Sequence, residues 1–166
     1  MEAKYGEEFI KHELDEAIAI QQTIVEAERE LSQKHPFPAG RDSIKGCLKE
    51  DENLAKELQR LGKPYGATGE VEEVAGSMQQ LMNDTLSSAG EAESEAYEAH
   101  AVLLSLKRKQ QDSASAMLKI ARSRRDTDMR EAASQFERAQ RTGSKALSES
   151  LAEFAVEIAN KEMASA

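Results

Sequence analysis

The chain has 166 residues, 39% hydrophobic and 32% charged, with a net charge of −9 and aromatics at only 4%. That length supports one domain with a real core, and the abundance of Ala, Glu, Leu and Ser excludes disorder and a β-rich fold. One cysteine, Cys47, excludes an internal disulfide and a Cys-based zinc site, and is read as a small core-facing residue.

The N-terminal MEAKYGEEF is acidic and precedes no apolar run of signal-peptide type. No stretch approaches the roughly 18–20 apolar residues that span a bilayer. A cytoplasmic location is the expectation.

Charge is unevenly placed. Residues 1–106 hold 10 Lys+Arg against 22 Asp+Glu, a net of −12, whereas 107–145 carry +6 and 146–166 carry −3. Such asymmetry bears on partners and self-association more than the total does.

The first helix is predicted over about 3–33. Ile10, Ala17, Ile24 and Leu31 recur every seven residues, widened by Leu14, Ile18 and Val25, with Gln21 and Glu28 as polar positions on the same stripe. HPFPAG (35–40) must end it, because Pro36 and Pro38 remove donors and drive the preceding residues out of the α region.

Asp42 or Ser43 is expected to cap a second helix over 43–61. Its stripe runs through Ile44, Cys47/Leu48, Leu54/Ala55, Leu58 and Leu61, and Asp51 sits in a gap of that stripe. Gly62 and Pro64 mark its end. GKPYGATG (62–69) reads as a loop, followed by a short helix at about 70–87.

A helix over 91–125 then carries Ala92, Ala99, Leu103 and Leu106, with Met117, Leu118 and Ile120 resuming the stripe. Between them KRKQQDS (107–113) is polar all round, so a kink or an exposed run is expected there. Asp126 or Thr127 caps a last helix over 127–163, where Gly143 falls on the apolar stripe and permits close helix approach. His12 and His35 read as surface residues, and His100 as a core-edge histidine bonded to a neighbour.

Two helical hairpins joined by a connector of about 28 residues (62–89) imply a crossover, since antiparallel neighbours need only a few residues. Such a connector can travel the roughly 30 Å of a 20-residue helix. The expected fold is an all-α four-helix bundle in which helices 43–61 and 91–110 are parallel neighbours. A 35-residue helix of about 52 Å outruns the second helix, leaving Met117, Ile120 and Phe136 to be covered by a second copy. A homo-oligomer, at least a dimer, is therefore expected.

ESEAYEAHAVLL (93–104), with its Glu-x-Tyr-Glu pattern, resembles the third bundle helix of small bacterial ferritin-like proteins. LQRLGKPYGATGEVEEV (58–74) resembles the end of their second helix and their crossover. The resemblance implies a ferritin-like topology over about 5–163. It also implies a di-metal site of iron or manganese, with Glu from two helices and Glu-x-x-His from the other two. The chain departs from this: none of His12, His35 and His100 has a glutamate three residues before it, and the last helix has no histidine. A reduced, carboxylate-rich site could be assembled from Glu28, Asp51, Glu95 and Glu98, with His100 nearby. The alternative is that these are solvated charges on Glu-rich helices.

Lys107, Arg108, Lys109, Lys119, Arg122, Arg124 and Arg125 form a basic run suited to anions: a membrane surface, an acidic partner, or pairing with the acidic first helices. Absent aromatics and the acidic total argue against nucleic acid. The sequence thus leaves three function classes. The first is a non-catalytic ferritin-like bundle, structural or stress-associated; the second is a carboxylate metal-binding protein; the third is a module for an anionic surface or partner. The usual nucleophile–histidine and phosphate-loop patterns are missing.

Overall fold

A computed structural model describes the backbone of residues 2–165 and the side chains of 5–161. It comprises α1 (Glu2–Lys34), α2 (Pro38–Gly62), a 3₁₀ turn (Lys63–Tyr65), α3 (Glu73–Ser88), α4 (Glu93–Arg124) and α5 (Thr127–Ser165). Among the described residues there is no strand. No helix of these is long and apolar enough to cross a membrane.

α2 begins earlier than expected. Pro38 occupies its first turn behind an extended Phe37, and Ser43 hydroxyl turns back to donate to Gly40 O at 3.0 Å. Proline at the first helical position gives up an amide that would have had no partner, so no Asp42 or Ser43 cap is needed. At the other end of α2, Gly62 stays helical; the left-handed residues are Gly66 and Gly69, with φ of +71° and +89°. The cap of α5 follows the sequence: Asp126 accepts from Met129 N at 2.9 Å.

The crossover is tied to α1 by one carboxylate. Asp15 Oδ1 accepts from Thr68 N at 2.7 Å and Gly69 N at 3.0 Å, while Lys11 pairs with Oδ2 at 2.6 Å. Burial pushes this carboxyl upward, but the Lys11 ammonium and the two amides outweigh it and leave it below the usual range. α3 then lies across α1 and α4, its Gln79 amide donating to Thr23 Oγ1 at 3.1 Å.

The four long helices pack pairwise: α1 on α2 and α4, and α5 on α4 and α2. Ile18 lies against Gly62 and Arg29 meets Glu52; Glu7 meets Arg124 and Glu28 meets Lys107; Ser43 meets Ser150 and Arg60 meets Asp128. α1 thus runs antiparallel to α2 and α4, and α5 to α2. α2 and α4 are consequently parallel. They are not side by side as expected, but stand on opposite corners of the interior.

Two apolar clusters fill that interior. One gathers Ile10, Leu14, Ile18, Leu58, Met117 and Phe136; the other gathers Ile24, Leu31, Ile44, Leu103 and Leu147. Met117 and Phe136 are thus buried within the chain, because the 33-residue α1 is as long as the 32-residue α4 and covers it. Ile120, the third residue expected to need cover from a second copy, is partly buried against the same cluster.

Candidate functional site

Between the two apolar clusters lies a polar layer to which each long helix contributes. α1 supplies Gln21 and Glu28, seven residues apart and so on one face; α2 supplies Asp51. α4 supplies Lys107 and Gln110, and α5 supplies Gln140. All six are buried, with Lys107 only 1% exposed and Glu28 fully enclosed. The segment 107–113 is not exposed all round: α4 continues through it with Lys107, Gln110 and Ser113 turned inward, while Arg108 and Asp112 face solvent.

Lys107 Nζ is the centre of the layer. It stands 2.7 Å from Glu28 Oε1 and donates to Asp51 Oδ2. Asp51 Oδ1 accepts from Gln21 Nε2 at 2.9 Å and from Gln140 Nε2 at 2.6 Å. Gln110 Nε2 donates to Gln21 Oε1 at 3.1 Å and Ala17 O at 2.9 Å. Gly143 makes room for this: a Cβ there would lie 3.2 Å from Lys107 Nζ and 3.4 Å from Cys47 Sγ.

Two carboxyls share one ammonium, so one negative charge too many would be buried if both were ionised. The environment resolves this unequally. Burial, with the Asp51 charge beside it, pushes Glu28 up to about 9 against the pull of Lys107, so it holds a proton at neutral pH. Asp51 is also raised by burial, yet Lys107 and the hydrogen bonds from its neighbours win and keep it below the usual range. Lys107 stays charged despite its burial, which opposes it; with Glu28 neutral, Asp51 is the charge that holds it. The ammonium is close to Glu28 but not aligned for a hydrogen bond, and neither Glu28 oxygen has a donor among the described residues. A proton on Glu28 shared with Asp51 gives one of those two oxygens a partner. The layer is then one ion pair and one neutral acid, with no net charge.

A second buried group closes one end of the interior. His35, expected at the surface, is 1% exposed, because Phe154 of α5 packs 5.0 Å from its ring and Phe37 stacks on Phe154. Phe37 N donates to His35 Nδ1 at 3.1 Å, which fixes the His35 proton on Nε2. That Nε2 donates to His100 Nδ1 at 3.0 Å, and His100 Nε2 in turn donates to Leu147 O at 2.9 Å. Ser150 Oγ lies 3.5 Å from His100 Nε2. The row resembles a nucleophile and its base, but the nitrogen facing Ser150 already carries a proton and cannot accept one. Burial drives His35 down to about 4, and lowers His100 as well.

The five metal-ligand candidates do not converge. Glu28 and Asp51 share the polar layer, and His100 belongs to the histidine pair. Glu95 and Glu98 are exposed, since Ala96, Ala99 and Leu103 take the inner face of α4; Glu95 only accepts from Ser88 Oγ at 3.2 Å. The interior carboxyls instead approach Cys47, whose thiol is pushed up to about 11 chiefly by burial and is chemically quiet.

The basic run divides too. Lys107 leaves it altogether, as the buried cation of the layer. Lys109 pairs with Glu16 at 3.5 Å and Arg124 approaches Glu7 at 4.0 Å, while Arg108 reaches Ser148 Oγ at 3.4 Å. Lys119, Arg122 and Arg125 are exposed and in no ion pair among the described residues.

Lys107 was expected only as part of the basic run, and Gln110, Gln140 and His35 not as site residues at all. A signal existed for the first two: Leu103, Leu106, Gln110, Ala114 and Met117 follow a single helical stripe, and Lys107 lies on it. No protein-family model matches the chain, and no curated protein or solved structure is significantly similar to it.

Proposed function

We propose that the chain is a non-catalytic helical bundle of ferritin-like topology, structural or stress-associated in role, in which a lysine ammonium holds the interior position that metal ions hold in di-metal carboxylate proteins. The observation that carries this is Lys107 Nζ, buried between Glu28 and Asp51 at 2.7 Å from the former. The pairwise packing of α1, α2, α4 and α5, with α2 and α4 parallel across the interior and a crossover between them, supports the topology.

The residues do not fit a di-metal centre. Such a centre needs about four carboxylates and two imidazoles converging on two cations. This layer offers Glu28 and Asp51, no histidine, three glutamine amides and a cation of its own. A metal-binding reading with iron or manganese would have to expel Lys107 from contact with both carboxyls.

Self-association belongs to the proposal on a narrower basis than helix length. Val74 and Leu81, seven residues apart on α3, are 64% and 53% exposed. Sedimentation velocity at micromolar concentration tests it, a monomer counting against it.

The experiment for the main reading is calorimetric titration of untagged protein with Fe(II) (anaerobically) and Mn(II). No saturable uptake is expected. Stoichiometric uptake that disappears in Asp51→Asn would overturn the proposal in favour of a metal-binding protein.

A further inference from the structure

α4 and α5 meet along a groove of about 450 Å³ lined by Leu118 and Arg122 of α4 and by Arg130, Ser134, Gln135 and Arg138 of α5, with Glu131 at its side. Arg130, Ser134 and Arg138 are four residues apart in turn, so they form one stripe of α5. Arg122 faces that stripe from the neighbouring helix. Three guanidiniums, a hydroxyl and a side-chain amide therefore share one concave surface.

Of the acids around the groove, Glu50 and Glu57 of α2 line an adjoining hollow that shares Arg138 and Gln135, and Glu57 is bound to Arg60; the others are committed elsewhere. Asp126 caps α5 through Met129 N, Asp128 is bound by Arg60 at 2.8 Å, and Glu137 pairs with Arg141 at 3.4 Å. Among the described residues, Arg122, Arg130 and Arg138 take part in no ion pair. Glu131 is the one carboxylate lining the groove, which leaves an excess of two positive charges there. Lys107, Lys109 and Arg124 of the basic run are paired with acids of the chain, whereas Lys119 and Arg125, like the three arginines of the groove, are in no ion pair among the described residues.

We propose that this groove binds a soluble phosphate-bearing anion of at least two negative charges. A guanidinium presents parallel N–H donors matched to a phosphate's oxygens, and it stays charged at every relevant pH. Three of them around one concavity, with Ser134 and Gln135 as further donors, suit a dianion or a short oligophosphate. The excess of positive charge favours such a dianion over a monoanion or a neutral ligand. The inference is independent of the polar layer and of the proposed structural role.

The test is calorimetry with inorganic pyrophosphate at low salt. It uses the full chain, the variant Arg130→Gln/Arg138→Gln, and a charge-matched control, Lys45→Gln/Lys49→Gln, altered on the exposed face of α2. All the altered side chains are exposed, and unchanged thermal unfolding verifies the fold. The groove reading expects saturable binding that weakens with salt, falls at least tenfold in the arginine variant and stays within twofold in the control. Absence of binding at low salt overturns it, as does an equal loss in both variants, which would mean attraction to net charge alone. A parallel arm uses vesicles of anionic phosphatidylglycerol. If vesicles bind through Arg130 and Arg138 while pyrophosphate does not, the soluble-ligand assignment is wrong and the site faces a membrane.

Discussion

Lys107 Nζ stands 2.7 Å from Glu28 Oε1 at a depth where neither side chain meets solvent. α2 and α4 occupy opposite corners of the interior, and the contact of Lys107 with Asp51 bridges that diagonal. An ammonium so placed satisfies Asp51 and offsets its charge, two tasks that a bound cation performs in a carboxylate site.

Removing the ammonium alone strands the Asp51 charge. Lys107→Met is expected to cost about 3–5 kcal/mol, the usual penalty for leaving one member of a buried pair unpartnered. Lys107→Met/Asp51→Asn, which removes both charges, should recover a large part of that. Urea unfolding of the wild type and the two variants checks this; a double variant no more stable than the single one would contradict the pairing.

The proton on Glu28 has a signed consequence. Its folded value, about 9, is far above the unfolded value near 4.5. Between those limits the folded state holds the proton that the unfolded chain releases, so this group makes stability fall as pH rises, by up to about 1.4 kcal/mol per unit. Glu28→Gln keeps the shape and removes the titration. It should be more stable than wild type at pH 8–9 and closer to it at pH 5. Thermal unfolding across that range decides; a variant that is less stable at pH 9 than wild type contradicts a protonated Glu28.

The histidine pair acts from the acid side. His35 falls from the ordinary 6.5 to about 4 on folding. Above 6.5 both states are neutral and the group contributes no pH dependence. Below 6.5 the unfolded chain takes up a proton that the folded one refuses, so stability declines toward pH 4, where this group's effect levels off, for a total of about 3 kcal/mol. His35→Leu should flatten that decline. An unchanged slope between pH 6.5 and 4 in the variant would show that His35 is not buried neutral.

Gly40 holds the same pair from the other side. A Cβ there would lie 2.5 Å from His35 Cε1 and 2.8 Å from Nε2, a clash with a ring fixed by two hydrogen bonds. Gly40→Ala is therefore expected to cost about 1–3 kcal/mol through overpacking, although alanine favours helix by about 1 kcal/mol. Chemical denaturation of the variant measures the sign.

Helix positions were largely readable in the sequence because apolar spacing repeats over long runs, as at Ile10, Ala17, Ile24 and Leu31. Gln21, Glu28 and Asp51 were also visible, as polar breaks in those runs. Their partner was not. Lys107 opens a run of three cations, and linear charge says nothing about which one turns inward; only its place on the stripe of Leu103, Gln110 and Ala114 marks it. His35 was hidden for another reason. It follows a helix and precedes prolines, so it reads as a loop residue, and the Phe154 that buries it lies more than a hundred positions away. Likewise the start of α2 was set by Pro38 rather than by the polar residues that usually cap a helix.

The most direct measurement is nitrogen-detected NMR of protein labelled with ¹⁵N at lysine Nζ, titrated with Mn(II) at neutral pH. The account predicts a charged, slowly exchanging Lys107 ammonium whose signal Mn(II) leaves unbroadened. Loss or broadening of that signal at stoichiometric Mn(II), or a neutral amine at Lys107, would contradict it.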